Sequence, residues 1–388
     1  MENSSLLSDL KLRYKKIAAA LRKNNLDAVL ISSNVNLIYT VGELIDGYFY
    51  LNSDEKAFLF IRKDTGLSGD NIYNITKPEQ IPDILKEVGE YLPESVGLED
   101  DSISYNEWIR LSKLFNKVMP FGTVIRDVRS VKTPYEIECL RMTGKKHGDL
   151  YSKIPSLYKK GMTDLELSVE IEHLFRLNGH LGIFRTHGGH LEAFMGTLLA
   201  GDNAGTPSPY DFAIGGGGQD KSFPVGLTGR KIEEGETVLV DIAGNFCGYL
   251  TDLSRTYPVG KTCYEIEKAY NAAIEIQAIT ENSKAGVLCS DIWEKSFECA
   301  KKYSLEHCFM GLSSKAKFIG HGVGLQMNET PVLTGRYQKP LEDGVCIAIE
   351  PKFIIEGVGA VGIENTYLIT SKGTEKLTIC SDEMVILN

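Results

Sequence analysis

No Cys-x-x-Cys pair occurs among the eight cysteines of this chain. They stand singly, at Cys139, Cys247, Cys263, Cys289, Cys299, Cys308, Cys346 and Cys380, inside apparent helices and strands. That scatter argues against a cysteine zinc site and fits free thiols in a reducing compartment. Long apolar runs are missing as well: nothing approaches the roughly 20 residues of a membrane span. The opening stretch MENSSLLSDLKLRYKK lacks the apolar core of a secretory signal. A cytoplasmic protein with no membrane partner is therefore expected. Basic clusters are absent too. The net charge is −10 with no stripe of Lys or Arg, which makes nucleic acid a poor candidate partner. Neither repeats of solenoid period nor low-complexity tracts interrupt the chain.

What is present is a globular balance, 43% hydrophobic and 24% charged over 388 residues, enough for two domains with cores of their own. The first third alternates helix and strand. LSDLKLRYKKIAAALRKNN has helical period, DAVLIS reads as a strand, and NLIYTVG as an element ending at Gly42. GYFYL and KAFLFIR read as facing strands, PEQIPDILKEVGEYL as a helix, SVGLED as a strand and SYNEWIRLSKLF as a helix. Such alternation predicts a small α/β domain. A boundary falls near Arg126 to Pro134, giving domains 1–127 and 128–388. Two helices follow, the second opening at Thr163 with Glu166 placed to complete a capping box. His147, His173 and His180 read as helix-surface residues. The Gly-, Pro- and Asp-rich stretch from Gly201 to Pro224 is long for a structureless connection, which marks it as a loop beside a pocket.

The C-terminal part carries acids where core residues belong. Asp241 lies in TVLVDIA, and Asp252 follows eleven residues later in YLTDLSRTY. A tight turn near Phe246 and Cys247 would set them directly opposite on antiparallel strands, where two like charges repel. Either a divalent cation stands between them, or Arg255 or a lysine neutralises one of them. His321 lies between glycines in FIGHGVGL, Glu350 ends the apolar run VCIAIE, and Glu364 lies inside GIENTYLIT. Four carboxylates and one imidazole suit manganese, cobalt, zinc or iron. Together they can hold two divalent metal ions, which would activate a water.

The order of these motifs resembles the pita-bread metallopeptidases, a family that includes Xaa-Pro dipeptidase (prolidase), aminopeptidase P, methionine aminopeptidase and creatinase. The resemblance rests on LRKNNLDAVLISSNVNLIYTVG, VRSVKTPYEIECLR, GRKIEEGETVLVDIAGNFCGYLTDLSRTYPVG, GHGVGLQMNETP and IEPKF. It implies a two-domain α/β chain, a creatinase/prolidase-like N-terminal α/β domain followed by a pita-bread α+β catalytic domain. It also implies two metals on Asp241, Asp252, His321, Glu350 and Glu364, with Glu350 as general base. A short peptide or small-molecule substrate and a homodimer are implied as well. Creatinase relatives lack the metal ligands, so keeping all five points away from that branch.

The pattern also departs from the peptidases. Their histidine before the two-aspartate hairpin is replaced here around Pro224 and Val225, and the histidine of GHGxGLxxHE is Asn328. The arginine two residues before the last metal glutamate is Gly362. Such histidines orient substrate, and one missing donor costs on the order of 3 kcal/mol. RTHGGHLEAF offers His187, His190 and Glu192 as replacements, with His187 and His190 as candidate catalytic groups. Tyr210 and Asp211 are weaker candidates. Three functions fit: an Xaa-Pro peptidase-like metallohydrolase, an enzyme of the same fold acting on a small non-peptide substrate by hydrolysis or lysis, and a non-catalytic binding protein.

Overall fold

A computed structural model describes residues 3–188 and 195–388. The chain divides into two units, residues 1–129 with 133–135, and residues 130–132 with 136–388. Among the described residues no helix is long and apolar enough to cross a membrane.

The first unit contains α1 (Asn3–Lys23), β1 (Ala28–Ile31), α2 (Asn34–Val41), β2 (Gly47–Asn52), β3 (Ala57–Ile61), β4 (Ile72–Asn74), α3 (Ile81–Glu87), β5 (Ser95–Leu98), α4 (Tyr105–Ser112), β6 (Lys117–Pro120) and α5 (Gly122–Ser130). Its six strands form one mixed sheet in the order β4-β3-β2-β1-β5-β6. The facing strands read from GYFYL and KAFLFIR are an antiparallel pair, Tyr48 opposite Phe60 and Tyr50 opposite Phe58. Gly42 ends α2 in the left-handed conformation (φ 91°), which a side chain would strain. Helix α5 runs through part of the stretch expected to be a domain boundary, and the sequence reading had not foreseen it.

The second unit is built on α6 (Pro134–Tyr151), α7 (Asp164–Leu177), β7 (Gly196–Ala200), β8 (Thr237–Asn245), β9 (Leu250–Pro258), α8 (Tyr264–Glu281), α9 (Cys289–Lys302), β10 (Gly320–Gly322), β11 (Glu329–Leu333), β12 (Val345–Ile349), β13 (Lys352–Ile355), β14 (Gly359–Gly362), β15 (Asn365–Thr370) and β16 (Gly373–Lys376). Three sheets result: β7-β8-β9, β11-β10-β12-β15-β16 and the pair β13-β14. Thr163 caps α7 as expected. Its hydroxyl accepts from Glu166 N at 3.1 Å, and its own N–H donates to Glu166 Oε2 at 2.8 Å. Helix α6 lets the backbone of residues 377–380 cross it closely, because a Cβ on Gly144 or Gly148 would fall 2.3 or 2.1 Å from the carbonyl oxygens of Leu377 and Ile379.

Two histidines expected at a helix surface are instead buried. His147 is fully buried, its Nδ1 3.0 Å from Thr251 Oγ1 and its ring edge-on to Tyr151 and Phe175. His180 is buried as well, with Nε2 2.8 Å from Ala243 O. His180 Nδ1 also accepts from Gly182 N at 2.9 Å, so both its ring nitrogens are partnered, whereas His147 Nε2 is buried with no hydrogen-bond partner. His173 is exposed, as expected, and so is His307.

Candidate metal centre

Five residues expected in one site reach it from three places in the second unit. Asp241 and Asp252 come from the β8–β9 hairpin, but its register differs from the expected one. Asp241 pairs with Ser254, and Asp252 pairs with Ala243. The strands separate after Asn245 and Leu250, so the connection has four residues, not a tight two-residue turn. The two aspartates are therefore diagonal neighbours on one face. His321, Glu350 and Glu364 come from the five-stranded sheet. His321 in β10 pairs with Ala348 in β12, and Ala348 pairs with Thr366 in β15. Glu350 lies two residues beyond Ala348, and Glu364 two residues before Thr366. The period of two puts all three side chains on the same face. Pro351 then ends the strand, because it has no N–H for the ladder.

Polar side chains stitch the sheets together at this face. Asp252 N donates to Thr366 Oγ1 at 2.8 Å, and that hydroxyl donates back to Asp252 O at 2.9 Å. Glu364 N donates to Ser254 O at 3.0 Å. Arg255, a candidate neutraliser of the aspartates, turns elsewhere, binding Ser254 O, Glu364 O, Asn365 Oδ1 and Asp382 Oδ1. Gln277 of α8 donates to Ile349 O at 2.7 Å and Ile363 O at 2.9 Å, the two carbonyls just before Glu350 and Glu364. Its own carbonyl accepts from Tyr367 OH at 2.7 Å. One side chain thus fixes the backbone of both glutamates. Gln277→Leu leaves two buried carbonyls unpaired, and turnover is expected to fall by about 10- to 100-fold, as when the groups that orient metal ligands are lost. Steady-state kinetics beside a urea melt measures this, and an unchanged kcat would show that the glutamates are positioned without it.

The acids gather into two groups, Asp252–His321–Glu364 and Asp241–Glu350–Glu364, each with ligand atoms within 4.8 Å of one another. In the first, His321 Nδ1 lies 3.2 Å from Gly322 O and donates to it, which leaves Nε2 facing Asp252 Oδ2 at 3.7 Å and Glu350 Oε1 at 3.4 Å. A nitrogen lone pair facing two carboxylates needs a proton or a cation. Burial works against the charged imidazole, but Glu350 and Asp252 outweigh it and lift His321 to about 9. Burial, with Asp241 beside it, pushes Asp252 up to about 7. Burial and the Asp252 charge raise Glu364 well above the carboxylate range. Glu364 Oε1 is buried with no hydrogen-bond partner. All of these are signs of uncompensated negative charge, and the donor set fits a divalent ion.

The second group is different, because it already has a cation. Lys352 Nζ lies 2.7 Å from Asp241 Oδ2, 2.7 Å from Glu350 Oε2 and 3.3 Å from Glu364 Oε2. Burial disfavours its charge, yet the three carboxylates hold its proton well above the usual lysine range. On Glu350, burial is outweighed by Lys352 and His321, which lower it to about 2. The lysine weighed as a neutraliser of the aspartates is thus real for Asp241, though Lys352 itself was not singled out. The signal was available: a lone basic residue in the apolar stretch VCIAIEPKFII. Gln277 was equally legible, as the one amide on the buried face of α8.

A cavity of about 210 Å³ opens onto Asp241, Asp252, His321 and Glu350. Phe184, Phe212, Phe318, Met327 and Val332 give it an apolar wall, so the expected pocket loop contributes through Asp211, Phe212 and Ala213. A larger adjoining cavity of about 350 Å³ includes Tyr210 and Asp211 but none of the five candidate ligands, so the chemistry belongs to the smaller one. Asn328 also lines the smaller cavity, and its amide is spent on the backbone of His187: Oδ1 accepts from His187 N at 2.6 Å and Nδ2 donates to His187 O at 2.8 Å. His187 is half-buried, and its side chain is not among the groups that line the cavity. His190 and Glu192 lie outside the described residues.

Comparison with known proteins agrees with this architecture. The family model described as "Metallopeptidase family M24" matches residues 138–371, and "Creatinase/Prolidase N-terminal domain" matches residues 13–131. The Xaa-Pro dipeptidase of Pyrococcus furiosus is 25% identical over 385 residues, covering 97% of this chain and 100% of that one. Its counterpart in Pyrococcus horikoshii is 26% identical, covering 96% and 98%. Among solved structures, the Xaa-Pro dipeptidase from Bacillus anthracis superposes with a TM-score of 0.80 at 21% identity, covering 97% of this chain and 100% of that one.

Proposed function

The chain belongs to metallopeptidase family M24, with a creatinase-type N-terminal domain before a pita-bread catalytic domain, and we propose that it hydrolyses peptide or amide bonds, as an Xaa-Pro dipeptidase or aminopeptidase does, at a divalent metal centre. The observation that carries this reading is the convergence of Asp241, Asp252, His321, Glu350 and Glu364 into two ligand groups that share Glu364, with the first four opening onto one cavity. Asp252, His321 and Glu364 would hold an ion, and Asp241, Glu350 and Glu364 offer a second set of donors, with manganese, cobalt, zinc or iron as chemically suited metals. When bound, a divalent ion supplies Lewis acidity, acidifying water and polarising a carbonyl.

The protein's own groups do the rest. Glu350, with Oε1 toward His321 and Oε2 held by Lys352, stays ionised and takes the proton of water, then passes it to the departing amine. The apolar wall of Phe184, Phe212 and Phe318 suits a compact apolar residue such as proline beside the scissile bond. Asn328 cannot exchange a proton as the histidine of the peptidase pattern does, and the His187 backbone engages one donor and one acceptor of its amide. That loss, with Pro224 and Val225 where another histidine is expected, favours a second reading, in which the same centre acts on a small non-peptide substrate.

The test is a panel of Xaa-Pro dipeptides and longer peptides with the manganese-loaded full-length chain, and Glu350→Ala as control. Cleavage is expected, falling by about 10²- to 10⁴-fold in the control. No cleavage by a protein that holds metal would overturn the Xaa-Pro assignment and favour the non-peptide reading.

A further inference from the structure

We propose that the Lys352 ammonium takes one of the two cation positions of the centre, so that the chain binds a single divalent ion, at Asp252, His321 and Glu364. This rests on the metal-centre reading above and narrows it. Nζ stands among the oxygens of Asp241, Glu350 and Glu364, the same three residues that make up the second ligand group. A transition-metal ion bonds such oxygens at about 2.0–2.2 Å, whereas the ammonium contacts two of them at 2.7 Å. Both would draw on the same three carboxylates, at a separation that brings two positive charges close together. One must leave.

The lysine is not free to do so. Its side chain is 1% exposed, and it begins β13 directly opposite Gly362 in β14. A Cβ on Gly362 would lie 2.4 Å from Pro351 O and 2.9 Å from Lys352 Cγ. Bare glycine at 362 thus lets the two strands approach closely, and the lysine stem is packed against that strand. Withdrawing Nζ would break three ion pairs and leave an ammonium buried without a partner, a large desolvation penalty. The first ligand group has the opposite character. His321 Nε2 faces two carboxylates, and Glu364 Oε1 has no partner. An ion there adds contacts without displacing any.

The consequence is a hydrolytic centre with one exchangeable metal and one covalently tethered positive charge. Lys352 holds Asp241 and Glu350 in place when no metal is present, and it supplies a fixed charge near the reacting atoms that no chelator removes.

The experiment is manganese titration of the chelator-stripped full-length chain, read by calorimetry and by elemental analysis after gel filtration. One ion per wild-type chain and two per Lys352→Gly chain are expected. Wild-type protein holding two ions overturns the single-ion inference and leaves the metallohydrolase reading standing. Wild-type protein holding none overturns the metal centre itself. A folded Lys352→Gly chain that still takes only one ion shows that the lysine is not what excludes the second. Should that variant fail to fold, the wild-type electron paramagnetic resonance spectrum decides. An isolated six-line manganese signal supports the inference, and an exchange-coupled pair contradicts it.

Discussion

Metal-free Lys352→Met protein is expected to be less stable than the metal-free wild type by about 3–5 kcal/mol at pH 8, the usual consequence of removing one partner from a buried ion pair. Methionine keeps most of the stem, so the change isolates the charge. Without it, Asp241, Glu350 and Glu364 share one buried face with Asp252 and have no cation but His321. The deficit follows pH with a definite sign. Asp252 already stands at about 7, and losing the ammonium raises its neighbours too. A carboxyl whose folded pKa lies above its unfolded value makes no penalty below the unfolded value, near 4, where both states are protonated. The penalty grows as pH climbs towards the folded value, because the unfolded chain releases protons that the folded chain retains. Urea melts with chelator at pH 5 and pH 8 should therefore show a larger difference at the higher pH; part of it already stands at pH 5, where wild-type Glu350, lowered to about 2, is ionised. Manganese should restore part of it by mass action. Equal stability of the two proteins at pH 8 would show that Lys352 is not the counter-ion of this cluster.

His321→Ala is expected to weaken manganese binding by at least about 100-fold and to lower turnover by about 10³-fold or more. Loss of a group that merely orients a ligand costs 10- to 100-fold in affinity, and loss of one donor at a transition state costs 10²- to 10³-fold. His321 is the one nitrogen ligand in the two ligand groups, and its Nδ1 contact with Gly322 O sets the tautomer that leaves the Nε2 lone pair free to bind a metal. Its neighbours along the strand, Gly320 and Gly322, carry no side chain that could take its place. Calorimetric titration and kinetics on the same preparation measure both numbers. Unchanged manganese affinity would place the ion elsewhere.

The candidate ligands were legible because ionisable groups in apolar strands are expensive and therefore conspicuous. Asp241 in TVLVDIA and Glu350 in VCIAIEP needed an explanation before any coordinate was known. The length and composition of the stretch from Gly201 to Pro224 located the pocket loop, and the Thr163–Glu166 spacing located the cap. What it could not give was register. A period of two fixes which face a residue takes, not which residue lies across from it, so Asp241 and Asp252 were set directly opposite when the four-residue connection makes them diagonal. His147 was misplaced because a helix crossed closely at Gly144 and Gly148 buries more of its circumference than an amphipathic pattern predicts. Lys352 and Gln277 escaped notice because each has decisive partners distant in the chain: Lys352 lies 111 residues from Asp241, and Gln277 72 and 86 residues from the carbonyls it holds. Gly362, legible only as a missing arginine, acquires a reason once the backbone of Pro351 and Lys352 is seen against it.

The most direct test of the central claim is to follow hydrolysis and bound metal together, adding manganese stepwise to stripped full-length protein in the presence of an Xaa-Pro dipeptide. The account predicts no cleavage before metal is added, a rise in proportion to the ion taken up, and loss of activity on chelation. Cleavage that is indifferent to manganese and to chelator would contradict it.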